Sequence, residues 1–347
     1  MQTLYIHIGY HKTGTTSLQS LMNQNRQELF DLGVFYPAVK GDGSRDYYQK
    51  HLEFYIALKN AHRNGSDISE PVDKITGQIV ASGAHVSMLS EESFSGLDLP
   101  ILDALTKFRL NFNVKIIAIV RRQDKFLQSF YQQSIKDFGE QRDFPVFLKE
   151  TKWHRLYFDA ALGHWADRFG PENMHVFSYD LASPEKPVNQ AILDLVLDGR
   201  RPDFTSEDRT WNTSLPAICY EAVKYFNRTG APKSDRVALA NTLRKCLRSR
   251  RVIENPLLKT GLAKEYLTPT ISQIISDTFH ESNARTAEIY FEGVSPFAGM
   301  NPHSAGNSIS IKDIQVTRSD FAPKDVIGLL SHLLIDERAK VTPKTKA

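Results

Sequence analysis

Cysteine is scarce in this chain, with only Cys219 and Cys246 among 347 residues. Two cysteines exclude a disulfide-stabilised scaffold, and their separation does not match a common metal-ligand motif. An excess of charge of one sign is also missing. The formal net charge is +3, which is too small to indicate a nucleic-acid-binding protein. We therefore expect no nucleic-acid partner.

Long apolar runs are missing as well. No run approaches the roughly 18 residues that a membrane-spanning helix requires. The N-terminus has neither the charged region nor the apolar region of a secretory signal peptide. A cytoplasmic protein without a membrane span is the expectation. With 41% hydrophobic and 24% charged residues, the chain has the composition of a soluble globular protein that can bury a large core.

The first 17 residues are the most informative stretch. Residues 3–8 are apolar and β-prone, which predicts a buried strand. A loop runs from Gly9 to Gly14, and an amphipathic helix that includes Leu29 is predicted to begin at Thr15. Free backbone N–H groups and the positive end of the helix dipole point into such a loop. The loop is therefore expected to bind a phosphate-like group, with further donors from Lys12 and from the hydroxyls of Thr13, Thr15, Thr16 and Ser17.

The loop differs from the ATP-binding Walker pattern G-x-x-x-x-G-K-[ST]. Its glycine spacing matches, but Thr15 occupies the lysine position and the lysine lies three residues upstream, at Lys12. In this form the loop resembles the 5′-phosphosulfate loop of sulfotransferases, whose donor is 3′-phosphoadenosine-5′-phosphosulfate (PAPS). A simple β–α turn with a solvated lysine is the alternative. The resemblance implies PAPS contacts from His11, Lys12, Thr13, Gly14, Thr15, Thr16 and Ser17.

Polar side chains also follow the next two predicted strands. Residues 85–90 end at a pair of carboxylates that includes Glu92, and residues 114–120 end at Arg121. The second of these strands is almost continuously apolar, as a parallel strand covered on both faces requires. Ligands of α/β sheets bind at the carboxyl ends of the strands. We expect the three strands to be adjacent, with Lys12, Glu92 and Arg121 facing one cleft.

A second anion site is predicted where the third strand ends. Sulfotransferases carry an arginine at a strand end and a serine eight residues later, and both bind the 3′-phosphate of the donor. Arg121 and Ser129 match that spacing, and a guanidinium suits bidentate phosphate contact. Arg122 is an additional cation without an assigned target. Arginines paired to surface carboxylates are the alternative interpretation.

The resemblance also implies a catalytic base. Sulfotransferases that act on glycans often have a glutamate at the position of Glu92, which would accept the proton of the acceptor hydroxyl. Glu91 is the nearest alternative and His51 the third candidate. Lys12 would meet the charge that develops on the leaving phosphate. One of the two glutamates is expected to be structural and to cap the helix that follows.

The predicted fold is α/β, a P-loop-like three-layer sandwich with a central parallel sheet of four to five strands and a helical C-terminal part. Residues 1–200 are expected to form the PAPS-binding core, 201–293 a helical part of the same domain, and 294–347 a loop, a helix over 324–338 and a flexible tail. Two segments, 209–214 and 282–285, weakly resemble an Asn-x-Ser segment of bacterial sulfotransferases. A helix cap at Asn212 or Ser214 is the alternative.

Together these features predict a sulfotransferase that transfers a sulfuryl group from PAPS to a hydroxylated small molecule or glycan. The segments HKTGTTSLQ and RRQD are most similar to those of bacterial carbohydrate-type sulfotransferases. No metal is expected, because a phosphosulfate carries less charge than ATP and the third strand lacks a Walker-B aspartate. Aromatic residues between 38 and 70 could line an acceptor pocket or pack in the core. A P-loop kinase and a non-catalytic nucleotide-binding or glycan-binding protein remain alternatives.

Overall fold

A computed structural model describes residues 1–10, 12–38, 50–183, 185, 187–200, 204, 215–247, 265–300 and 310–314. Its centre is one five-stranded sheet in which every neighbouring pair of strands is parallel. The strands are β1 (Gln2–His7), β2 (Val34–Phe35), β3 (Val86–Ser90), β4 (Phe112–Val120) and β5 (Met174–Ser178). The predicted α/β fold with a central parallel sheet is therefore confirmed.

The strand order is β2-β3-β1-β4-β5, so the first three predicted strands are adjacent, as expected. His7, the last residue of β1, pairs with Ser90 of β3 and with Ile117 of β4. Backbone hydrogen bonding between the strands continues past their ends. The Ile8 N–H donates to the Ile117 carbonyl at 2.9 Å, and the Glu91 N–H donates to the His7 carbonyl at 3.1 Å. This register brings the segments after β1 and β3 out at the same edge of the sheet.

Twelve α-helices accompany the strands in the described part of the chain. They are α1 (Thr15–Gln24), α2 (Arg26–Asp31), α3 (Leu52–Asn64), α4 (Ser69–Ser82), α5 (Leu99–Leu105), α6 (Gln123–Gln133), α7 (Phe144–Glu150), α8 (Phe158–Phe169), α9 (Val188–Val196), α10 (Ala217–Asn227), α11 (Lys233–Cys246) and α12 (Pro269–Tyr290). The last three correspond to the predicted helical C-terminal part.

Side chains from α1 and α9 cover one face of the sheet. Leu18 of α1 and Ile192 of α9 belong to the same buried cluster as Tyr5 and Ile117 of the strands. The alternate strand residues point to the opposite face, and Ile116 is likewise fully buried there. Both faces of the sheet are thus covered, which explains why β4 is almost continuously apolar.

The helix predicted from Thr15 through Leu29 is two helices. The helix is interrupted at Asn25, whose backbone is not helical (φ −109°, ψ 33°). The Leu21 carbonyl accepts both the Asn25 backbone N–H at 3.2 Å and the Asn25 side-chain amide at 2.8 Å. Leu29 is fully buried in spite of the break. The apolar spacing therefore identified the buried residues correctly but joined two elements into one.

The described residues fall into two compact units. The first lies within Met1–Gln123, Trp153–Trp211 and Phe279–Met300, and the second within Asp124–Lys152, Asn212–Thr278 and Asn301–Ala347. The first unit contains the whole sheet. The predicted division at residues 200 and 293 stays a prediction, and the expected helix over 324–338, the tail and the segment 209–214 lie outside the described residues.

The second unit is helical and has its own polar centre. Asn227, at the end of α10, donates from its side-chain amide to the carbonyls of Ile135 and Glu140, both at 2.9 Å. These bonds hold the π-helical turn Ser134–Phe138, which follows α6.

None of the helices that the structure describes is long and apolar enough to cross a membrane.

Candidate functional site

The loop between β1 and α1 has an unusual backbone. Gly9, Lys12 and Gly14 have φ values of 52°, 68° and 79°. This left-handed conformation costs a residue with a side chain about 1–2 kcal/mol, so contacts around Lys12 must hold it in place. Gly9 is also needed for space, since a Cβ atom there would lie 3.0 Å from the Glu92 Cα atom.

Hydroxyl groups of the loop are partly used by the protein itself. Thr13 is buried and donates to the Tyr10 carbonyl at 2.6 Å. The Ser17 hydroxyl accepts a 3.1 Å bond from the Asn189 amide of α9, whereas Thr16 is exposed. His11 lies outside the described residues. The Thr13 side chain thus shapes the loop. The Ser17 N–H of the first helical turn donates to the Gly14 carbonyl at 3.1 Å.

Arg121 and Tyr179 support the loop from neighbouring strands. Arg121, which follows β4, donates from Nη1 to the Lys12 carbonyl. Its guanidinium stacks on the Tyr179 ring at 4.8 Å, and a Cβ atom on Gly14 would meet that ring at 3.5 Å. The guanidinium therefore fixes the strained Lys12 backbone, so the structure brings Arg121 to the predicted loop.

Arg122 is directed elsewhere. Its backbone N–H donates to Asp180 Oδ2 at 2.6 Å, and its side chain donates to the Ala298 carbonyl at 3.1 Å. These contacts tie the end of β4 to the segments after β5 and α12. Arg122 has a structural target in the first unit, which the sequence did not reveal.

Ser129, the predicted partner of Arg121, lies on α6. The residue is half-buried and belongs to the second unit, whereas Arg121 belongs to the first. The pairing of Arg121 and Ser129 at a 3′-phosphate stays a prediction.

Glu92 adjoins the loop. Its Oε1 accepts a 2.6 Å hydrogen bond from the Thr15 hydroxyl, and its Oε2 lies 3.3 Å from Lys50 Nζ. The residue is 5% exposed. The predicted base thus contacts the first residue of α1, and both of its carboxylate oxygens have a polar neighbour.

Glu91 is fully buried and is placed differently. It is extended, and its Oε1 accepts the Ser93 N–H at 3.0 Å, which caps the 3₁₀ turn Glu92–Gly96. Burial raises the pKa of Glu91; the Lys50 charge opposes this rise and the Glu92 charge adds to it. The expectation that one glutamate caps the following helix fits this contact.

His51 is fully buried and contacts the backbone of β3. Its Nδ1 accepts the Ser90 N–H at 2.9 Å, and its ring packs edge-on against Tyr36 at 4.8 Å. Burial, with a smaller effect of the Arg26 charge, lowers the pKa of His51 to about 3. The imidazole is therefore held neutral in a structural position beneath the two glutamates.

Two further residues at this site were missed by the sequence analysis. Lys50 reaches both glutamates from the segment that precedes α3. His7 is buried at the end of β1, where its Nδ1 lies 2.8 Å from Ser90 Oγ, and burial lowers its pKa to about 4 against the opposing Glu92 charge. A polar residue inside a predicted apolar strand was the available signal for His7.

The aromatic residues between 38 and 70 divide into two groups. Phe54 is buried in the core, with its ring 6.0 Å from Phe94 and 6.2 Å from Phe108, so it packs in the way that the alternative interpretation expected. Tyr55 is half-buried. Tyr47 and Tyr48 lie outside the described residues, and their proposed place in an acceptor pocket stays a prediction.

The segment 282–285 lies within α12 and makes contacts inside the first unit. Ser282 donates to Asp159, and Arg285 Nε lies 2.6 Å from the same carboxylate. Asn283 and Gln123 exchange side-chain amide bonds of 2.6 and 3.2 Å. These contacts join α12 to α8 and to the start of α6.

No group of three or more His, Cys, Asp or Glu residues suited to a metal occurs among the described residues.

Comparison with known proteins gives limited similarity. No protein-family model matches the chain. An uncharacterized protein of Archaeoglobus fulgidus is 26% identical over 249 residues, a match that spans 69% of this chain and 61% of that protein. The crystal structure of a sulfotransferase from Alicyclobacillus acidocaldarius aligns with a TM-score of 0.40 and 17% identity, covering 70% of this chain and 96% of that one.

Proposed function

We propose that this protein is a sulfotransferase that transfers a sulfuryl group from PAPS to a hydroxyl of a carbohydrate acceptor. The contact between Glu92 and Thr15 carries the proposal. It joins a candidate general base to the first residue of the helix that follows an anion-binding loop. A reaction between a bound phosphosulfate and an acceptor hydroxyl needs these two features side by side.

The loop and Lys12 would bind the 5′-phosphosulfate. Sulfuryl transfer resembles phosphoryl transfer in passing through a loose, in-line transition state, so positioning and electrostatics supply most of the rate. The N-terminus of α1 and the Lys12 ammonium would stabilise negative charge on the leaving phosphate. The left-handed backbone at Lys12, fixed by Arg121, supports a loop that is organised before the donor binds.

Glu92 would accept the proton of the acceptor hydroxyl. Its Oε1 accepts the Thr15 hydroxyl, and we assign the acceptor to Oε2, which lies 3.3 Å from Lys50 Nζ. Glu91 is less suited because it is 0% exposed and its Oε1 caps the next turn. His51 is less suited because it is also 0% exposed and its Nδ1 accepts a backbone bond. The geometry therefore favours Glu92 over the other two candidates.

Arg121 and Ser129 would bind the 3′-phosphate of the donor. The Arg121 guanidinium has five N–H donors, and the bond to the Lys12 carbonyl engages Nη1. A guanidinium also suits a bidentate contact with a phosphate. The carbohydrate acceptor class is taken from the similarity of the loop and RRQD segment to bacterial carbohydrate-type sulfotransferases.

Calorimetric titration with adenosine 3′,5′-bisphosphate and, separately, with ATP–magnesium tests the donor. We expect the bisphosphate to bind more tightly. Labelled sulfate transfer from PAPS to a panel of glycans then tests the reaction. Preferential binding of ATP–magnesium with phosphate transfer would indicate a kinase, and nucleotide binding without transfer to any acceptor would indicate a non-catalytic binding protein.

A further inference from the structure

Lys50 contacts two buried carboxylates at the end of β3. Its Nζ lies 3.3 Å from Glu92 Oε2 and 3.6 Å from Glu91 Oε2. The lysine side chain is 23% exposed, while the side chains of Glu91 and Glu92 are 0% and 7% exposed. One partly buried lysine therefore pairs with two carboxylates that are more buried than it is.

Two neighbouring carboxylates in a buried site tend to share a proton, because each charge disfavours the other. Beside this pair lie the Thr15 hydroxyl, the His7 imidazole, the Tyr36 phenol and the Lys50 ammonium. The neutral His51 imidazole bonds to Ser90, the residue before Glu91, and the Arg26 guanidinium lies over the Tyr36 ring at 4.8 Å. His7 and Tyr36 are neutral near pH 7, so Lys50 supplies positive charge. Burial lowers the pKa of Lys50, but the charges of Glu92 and Glu91 outweigh it and raise the pKa.

We propose that Lys50 is a positioning residue that keeps the Glu91–Glu92 pair ionised and holds Glu92 Oε2 ready to accept a proton at neutral pH. The catalytic part of this inference rests on the proposed sulfuryl transfer. In that step the acceptor O–H bond breaks and its proton moves to Glu92. The acceptor oxygen forms the new O–S bond while the S–O bond to the donor phosphate breaks and leaves its electron pair on the phosphate.

The second glutamate has a role in this arrangement. When Glu92 takes the proton, its attraction for Lys50 falls, and a buried ammonium without a counter-charge would be costly. Glu91 remains 3.6 Å from Lys50 Nζ and still provides that counter-charge. The pair of glutamates thus lets the base change its protonation state while the lysine stays in place.

Lys50→Met tests the proposal because it removes the charge and keeps most of the side-chain length. We expect the acid limb of the kcat–pH profile to move upward by about 1–3 pH units, the size of shift that a nearby opposite charge produces. Lys50→Arg is expected to restore most of the wild-type profile. Lys59→Met is the matched control, because Lys59 forms an exposed ion pair with Asp98 at 2.6 Å.

A second measurement does not depend on activity. Carbon-13 NMR of labelled glutamate carboxyl groups, assigned with Glu91→Gln and Glu92→Gln, follows the titration of the pair directly. Lys50→Met is expected to raise its apparent pKa by about 1–3 units; an unchanged titration would overturn the proposal. If the titration shifts but the wild type transfers no sulfate, the ionising effect of Lys50 is supported and the sulfotransferase proposal fails. Should Lys50→Met not fold, Lys50→Gln replaces it in both experiments.

Discussion

Thr15 donates a 2.6 Å hydrogen bond to Glu92, 77 residues away in the sequence. Thr15 begins α1 after the loop that leaves β1, and Glu92 lies two residues beyond β3. Both side chains are almost completely buried. The contact forms because β1 and β3 are parallel neighbours whose ends are in register. The predicted anion-binding loop and a carboxylate thereby lie side by side.

The first prediction separates the roles of Arg121 and Lys12. Arg121→Ala should mainly weaken donor binding, because Arg121 would contact a phosphate remote from the reacting bond and supports the loop backbone. Lys12→Ala should mainly lower kcat, because its charge would meet charge that grows only in the transition state. Steady-state kinetics with varied donor distinguish the two. Similar losses in KM and kcat for both variants would contradict these roles.

The second prediction concerns the fit of Gly9 against Glu92. Gly9→Ala should destabilise the protein by about 1–2 kcal/mol, because alanine would keep the left-handed backbone at a cost and its Cβ atom would lie 3.0 Å from the Glu92 backbone. Gly77→Ala is the matched control. Gly77 lies inside α4 with nothing within 4 Å of an added Cβ atom, so the change should stabilise by about 0.5–1 kcal/mol. Urea unfolding measures the free energy of unfolding of both variants. An unchanged free energy for Gly9→Ala would contradict the prediction and show that the contact with Glu92 can relax.

The third prediction is an acid dependence of stability. Because the folded-state pKa of His51 is lowered to about 3, the unfolded chain binds a proton that the folded protein does not as pH falls below about 6.5. His51 should therefore contribute a loss of about 1.4 kcal/mol per pH unit between pH 5.5 and 4. His51→Asn keeps an oxygen that can accept the Ser90 N–H but does not titrate. Denaturant midpoints across this range should show a smaller slope for the variant; equal slopes would contradict the neutral, buried imidazole.

The fourth prediction concerns the second unit, where Lys224 is 1% exposed. Its Nζ lies 2.7 Å from Asp143 and 2.8 Å from Glu221, which is itself buried. Lys224→Met would leave the Glu221 charge uncompensated and should cost about 3–5 kcal/mol. Lys107→Met removes an exposed pair with Asp73 and should cost at most about 1 kcal/mol. Chemical denaturation of the two variants gives the comparison, and losses of the same size would show that the buried ion pairs add nothing.

The sheet could be predicted because its strands are short, apolar and followed by polar residues. The run from Val114 to Val120 was recognised, and β4 extends it only to Phe112. Interruptions within a segment that has a helical pattern of apolar residues were harder to predict. The helix α1 ends just before Asn25, where the backbone leaves helical geometry and the side-chain amide bonds to the Leu21 carbonyl. The spacing of apolar residues carries no information about such a local change.

The site was predictable where its residues follow strands. Lys12, Glu92 and Arg121 could be placed at one edge, because the carboxyl ends of parallel strands meet there. Lys50 could not be placed there, because it follows no strand. It precedes α3 and reaches Glu92 because this part of the chain lies beside β3. The sequence also could not distinguish the surroundings of Glu91 from those of Glu92. These surroundings differ because β3 ends at Ser90 and the 3₁₀ turn begins at Glu92.

The central claim is that Glu92 is the base of a sulfuryl-transfer reaction. Glu92→Gln keeps the size and polarity of the side chain but removes its basicity. General-base catalysis contributes roughly 10²–10⁴-fold, and turnover should fall by that factor while the affinity for adenosine 3′,5′-bisphosphate is retained. Glu91→Gln is the comparison variant. It removes a neighbouring carboxylate that does not receive the proton, and its side-chain oxygen can still accept the Ser93 N–H.

The most direct measurement is the single-turnover rate of labelled sulfate transfer from saturating PAPS by the wild type, Glu92→Gln and Glu91→Gln. We expect transfer by the wild type, a rate roughly 10²–10⁴-fold lower for Glu92→Gln, and a much smaller loss for Glu91→Gln. An inactive Glu91→Gln beside an active Glu92→Gln, or wild-type rates for both variants, would contradict the assignment of Glu92 as the base.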